Sequence, residues 1–107
     1  MSMIENLEKM LAAGQDSALL RYSLGTAYQK AGEMEPARAH LARAVDQDAT
    51  YSAAWKAYGK VLAELGLADD AKSAFERGID VAEKRGDIQA AKEMKVFLKR
   101  LTRKPSD

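Results

Sequence analysis

Laid over itself at an offset of 34 residues, the chain repeats. Residues 18–51 fall on 52–85 with Gly25 on Gly59, Gly32 on Gly66, Ala37 on Ala71, Arg43 on Arg77 and Asp46 on Asp80. Similar residues keep step too: Leu41 with Phe75, Val45 with Ile79, Glu35 with Asp69. A fixed period of this length marks a chain in which one supersecondary unit stacks on the next, because a single unit cannot bury its own apolar face.

Each unit reads as two helices around a glycine turn. In the first, Ala18, the stem of Arg21, Leu24, Gly25 and Tyr28 recur at helical spacing, and Ala31-Gly32-Glu33 closes the run. Glu35-Pro36 opens a second helix, where the missing N–H of proline costs nothing. Ala37, Leu41, Ala44 and Val45 form its buried stripe. The second unit repeats the plan with Trp55, Tyr58, Gly59 and Leu62, a turn at Gly66, then Ala71, Phe75, Gly78 and Ile79. Only Pro36 and Pro105 break the supply of backbone donors in 107 residues, and alanine and leucine, both good helix formers, dominate. Gly25 and Gly59 stand mid-helix, at a cost of up to ~1 kcal/mol relative to alanine. Their recurrence points to close approach of the paired helix, past the small Ala37 and Ala71.

The string Trp55-x-x-Tyr58-Gly59-x-x-Leu62, followed by Gly66, Ala71, Phe75 and Gly78, resembles the tetratricopeptide repeat. That pattern asks for Trp-x-x-Leu-Gly-x-x-Tyr, a turn glycine, then Ala, an aromatic and Ala. The first unit supplies Leu24-Gly25-x-x-Tyr28, Gly32, Ala37, Leu41 and Ala44, and departs at Arg21, where Trp is expected. Neither unit has the closing proline; Ala49 and Glu83 stand there. The resemblance implies an all-α, right-handed solenoid of antiparallel helix pairs, in one domain over residues 1–107. Repeats fill 18–51 and 52–85. Residues 3–13, with Met3, Leu7, Met10 and Leu11 at apolar positions, read as an N-terminal capping helix, and 88–102, with Ala91, Met94, Leu98 and Leu101, as a C-terminal one. The last helix fits the repeat when displaced by about two residues, which makes six helices with a tail at 103–107.

Chemistry is hard to find. Without cysteine, disulfides and thiolate metal sites are excluded. His40, the lone histidine, has no carboxylate cluster at ligand spacing, so no metal is expected. There is no Gly-x-Ser-x-Gly elbow and no phosphate-cradling glycine loop, and the glycines are spaced for packing and turns. Asp69-Asp70 read as a helix start, where negative charge complements the macrodipole and caps the backbone. The chain is expected to be no enzyme and to need no cofactor. Lacking an apolar leader or a membrane-length apolar run, it is expected in the cytoplasm.

The resemblance implies a protein-interaction module whose first helices line a concave groove for a peptide or helix of a partner. Mapping that groove gives Leu19, Tyr22, Thr26 and Gln29, then Ala53, Lys56, Lys60 and Ala63, then Gln89, Lys92, Val96 and Lys99. Lys56, Lys60, Lys92 and Lys99 on one groove imply a partner with acidic character, and Tyr22 is the expected aromatic anchor. The lysine and asparagine clamp that some relatives use on chaperone tails is absent: Tyr22, Thr26, Ala57, Gln89 and Glu93 occupy its positions. Two alternatives stay open. One is a self-associating assembly subunit joined through apolar residues of the end helices. The other, disfavoured by a net charge of only +1, is anionic-ligand or nucleic-acid binding through Lys92, Lys95, Lys99, Arg100, Arg103 and Lys104.

Overall fold

The computed structural model describes residues 2–103. These form six helices: α1 (Met3–Ala12), α2 (Ala18–Lys30), α3 (Met34–Gln47), α4 (Ser52–Glu64), α5 (Ala68–Arg85) and α6 (Ile88–Thr102). No strand occurs among the described residues, and no helix there is long and apolar enough to cross a membrane. The part of the expected tail beyond Arg103, with Lys104 and Pro105, lies outside them. Helices α2 and α3 pair, α4 and α5 pair, and α6 lies on both α5 and α4, giving a slab of 49 × 33 × 18 Å. The fold is an all-α helix-pair solenoid.

The period shows in the backbone. Gly32 and Gly66 take φ of 79° and 77°, the left-handed region that side chains resist. This lets the next amide turn back on the helix: Glu33 N–H donates to Tyr28 O, and Leu67 N–H to Leu62 O, both at 2.9 Å. The helix pairs then approach at Gly25 and Gly59. A Cβ on Gly25 would lie 2.5 Å from Leu41 Cγ, and one on Gly59 2.5 Å from Phe75 Cε1. Close approach is thus the reason for both glycines, but the partners are the large Leu41 and Phe75; of the two alanines only the Ala37 carbonyl is near, at 3.4 Å.

The core runs through α4, α5 and α6. Phe75, Leu62, Met94 and Trp55 are buried in it among alanines, and the Trp55 indole N–H donates to Ala49 O at 2.8 Å while the Arg77 guanidinium covers its ring. Helix α3 stops at Asp48, whose carboxylate accepts from Thr50 N–H and hydroxyl at 3.0 and 2.7 Å. One period on, Ala82, Glu83 and Lys84 offer no such turn, and α5 continues to Arg85 until Gly86 ends it. Helix α6 therefore starts later in its repeat than α4. In its register Lys95 falls where α2 and α4 have Gly25 and Gly59, so no further helix can approach as closely there; Lys95 instead meets Glu83 at 2.7 Å.

Two expectations need correcting. Met3 and Met10 are 60% and 41% exposed, and the side chains of α1 turned toward the body are Ile4, Leu7, Glu8 and Leu11. Asp69 and Asp70 do sit in the first turn of α5, but no side chain caps it, the N-cap position being Leu67.

Candidate partner-binding face

Helix α2 touches α4, and α4 touches α6, so the three first helices form one surface of the slab. Leu19 stands on it 64% exposed. Tyr22 is half-buried, its ring tilted on Tyr51 at 5.0 Å, so it is a wall of the groove rather than a free anchor. The Thr26 hydroxyl donates back to Tyr22 O at 3.0 Å, and Gln29 is half-buried beside it.

The four lysines do not make one free cationic row. Lys56 Nζ is 2.8 Å from Glu93 Oε1, which holds that carboxyl below its ordinary range. Lys60 Nζ lies 5.2 Å from the Phe97 ring centre. Lys92 and Lys99 are exposed on α6. The α6 side chains that meet Lys56 and Lys60 are therefore Glu93 and Phe97, one position from the Lys92 and Val96 expected there. Arg100 also lies over Phe97, at 5.8 Å, and the cleft between these helices is floored by Phe75, Phe97 and Leu101.

A polar cluster that the repeat pattern does not announce joins α1, α2 and α3. Asp16 accepts two hydrogen bonds from Arg21, at 2.8 and 2.9 Å, and one from Gln47 at 2.9 Å, with Arg43 at 3.8 Å. Arg21 also meets His40, and Tyr28 donates to Glu8. The signal that could have exposed the cluster is Arg21 itself, standing where the second repeat has Trp55. The hydrogen bonds from Arg21 and Gln47 hold the Asp16 carboxyl well below the usual carboxylate range. A carboxylate depressed in the folded state stabilises fully above its unfolded pKa of about 3.9 and loses that contribution as pH falls. Asp16→Asn is therefore expected to lower Tm at neutral pH, with the difference shrinking steadily as pH falls below about 4; a difference independent of pH would refute this role.

A family model described as tetratricopeptide repeat matches residues 4–60. The chain belongs to the tetratricopeptide repeat family. A TPR repeat-containing protein of Pseudomonas aeruginosa is 52% identical over 101 residues, covering 94% of this chain and 96% of that protein. The solution structure of a Bordetella parapertussis protein superposes with a TM-score of 0.81 at 46% identity, over 94% of this chain and 88% of that one. The second TPR domain of human RPAP3, solved in complex with an HSP70 peptide, superposes with a TM-score of 0.77 at 30% identity, over 94% of this chain and 79% of the domain. TPR chains of this kind are generally scaffolds, and among the described residues no group of three or more His, Asp or Glu is placed to hold a metal ion.

Proposed function

We propose that this TPR protein is a non-catalytic adaptor that holds a peptide or helix of a partner protein across the face of α2, α4 and α6. The observation that carries the reading is that face itself. Helix α2, which carries Leu19, Tyr22, Thr26 and Gln29, touches α4, which carries Lys56 and Lys60, and α4 touches α6, in a chain similar to a TPR domain solved with a peptide. Repeats 18–51 and 52–85 build the face, and segments 3–13 and 88–102, which hold α1 and α6, close the stack. Lys60, Lys92, Lys99 and Arg100 favour a partner with acidic character, since each can approach a carboxylate from the solvent side. Lys56 contributes less, because a ligand would have to displace Glu93.

Photo-crosslinking in the native host tests the reading. Benzoylphenylalanine in place of Gln29, on the proposed face, is expected to give discrete protein adducts, and in place of Ala39, exposed on α3, to give none. Lys60→Glu should cut the adduct yield to about a tenth, the effect of about 1.4 kcal/mol. Adducts from position 39 alone would sink the proposal.

A further inference from the structure

Helix α1 sits on the molecule differently from its neighbours. It contributes no buried residue, whereas α2 to α6 each bury several. Its half-buried residues, Ile4, Leu7, Glu8 and Leu11, share one face at three- and four-residue spacing. Part of what that face meets is polar. Glu8 accepts from the Tyr28 hydroxyl at 2.9 Å and lies 3.8 Å from His40 Nε2. The His40 ring stacks on Tyr28 at 5.6 Å, and its Nδ1 is 3.2 Å from an Arg21 guanidinium nitrogen. A guanidinium can only donate, so Nδ1 is the acceptor and the ring proton sits on Nε2, toward Glu8. One period on, the positions of Arg21, Tyr28 and His40 hold Trp55, Leu62 and Ala74, all buried in the apolar core. The first repeat thus has a polar seam where the second has an apolar one.

An apolar seam holds its neighbour by area removed from water, while the groups of a polar seam can be rehydrated on opening at small net cost. Between α1 and α2, Leu7 and Met10 share a depression with Leu19 and Leu20, rimmed by Gln15, Asp16, Ser17 and Ser23. We propose that the α2–α3 seam is a helix-docking surface with α1 as its releasable resident. It fits an amphipathic partner-protein helix with a carboxylate four residues after one apolar side chain and three before another. That chemistry is the pattern of α1 itself, Ile4-Glu8-Leu11, and Arg21, Tyr28 and His40 supply the complementary donors and charge. The surface rests on Arg21, Tyr28 and His40, which the reading of the α2, α4 and α6 face does not use, so either reading survives failure of the other.

The seam encloses a titratable ring. His40 is surrounded by Glu8 from α1, Asp16 from the following loop, and Arg21 and Tyr28 from α2, with Arg43 one turn along α3. Burial holds the imidazole below its ordinary range; Glu8 and Asp16 oppose this and Arg21 reinforces it.

The full chain carrying Ile4→Asp and Leu11→Asp, which unseats α1 and leaves α2 and α3 untouched, is titrated with a fluorescein-labelled peptide of residues 2–13 and followed by anisotropy. The expected result is saturable binding near pH 7.5, about tenfold tighter than to the wild-type chain, whose seam is occupied. E8Q in the peptide should cost about tenfold, the worth of a charge-assisted hydrogen bond. No saturation with α2–α6 still helical by circular dichroism, or equal binding of the E8Q peptide, would overturn the proposal. Hydrogen exchange on the wild-type chain checks release directly. Amides of α1 should exchange about a hundredfold faster than those of α5, and equal protection would overturn release. A wild-type mass that doubles with concentration and reverts on Glu8→Gln would overturn the assignment to a partner, putting a second copy's α1 in the seam.

Discussion

Phe75→Ala is expected to remove about 4 kcal/mol of stability, a large part of the roughly 5–15 kcal/mol that holds a domain together. The ring is 1% exposed and stacks on Phe97 with centroids 5.7 Å apart at 13°. It fills the space that Gly59 leaves open, with three ring atoms within 2.8 Å of where a Cβ would stand. Removing the ring leaves a cavity that the surroundings cannot close, since α4 and α5 already meet through a glycine and Phe97 sits on α6. The cost therefore includes the cavity as well as the lost transfer of apolar atoms out of water. Urea unfolding should show the midpoint falling with little change in slope, and Tm should drop by about 20 °C. A loss below about 1.5 kcal/mol would mean that the helices collapse onto the vacancy after all.

Gly59→Ala is expected to destabilise by about 1–2 kcal/mol, and the sign is the test. On an exposed helix the same change stabilises by up to ~1 kcal/mol, because alanine is the better helix former. Here the new Cβ would lie 2.5, 2.7 and 2.8 Å from Phe75 Cε1, Cδ1 and Cζ. A planar ring pinned from behind by Phe97 cannot swing aside, so α4 must move, and overpacking of this kind costs about 1–3 kcal/mol. Gly25→Ala should cost less. Its Cβ meets Leu41 Cγ and Cδ2 at 2.5 and 2.7 Å, and a branched aliphatic chain can change rotamer where a ring cannot. Chemical denaturation of both variants decides the matter: a gain in stability at position 59, or a larger loss at 25, would show that the glycines are not set by these side chains.

The sequence by itself determined the period, the helix pairs and the family, because small and apolar residues recurring every 34 positions can satisfy only a stack of paired helices. Gly25, Gly59, Ala37 and Phe75 all announce packing at fixed separations along the chain. The tertiary structure decided which side chains meet between units. Lys56 finds Glu93 and Lys60 finds Phe97 because Ala82, Glu83 and Lys84 carry α5 past the point where Asp48 stops α3, which shifts the register of α6. Tyr22 looked like a free aromatic until Tyr51, at the start of α4, came to lie against it. The seam of Glu8, Asp16, Arg21, Tyr28 and His40 joins α1, the loop after it, α2 and α3 through contacts that no period encodes. Periodicity records what every unit must bury, whereas polar contacts between units occur once and follow from where the helices come to rest.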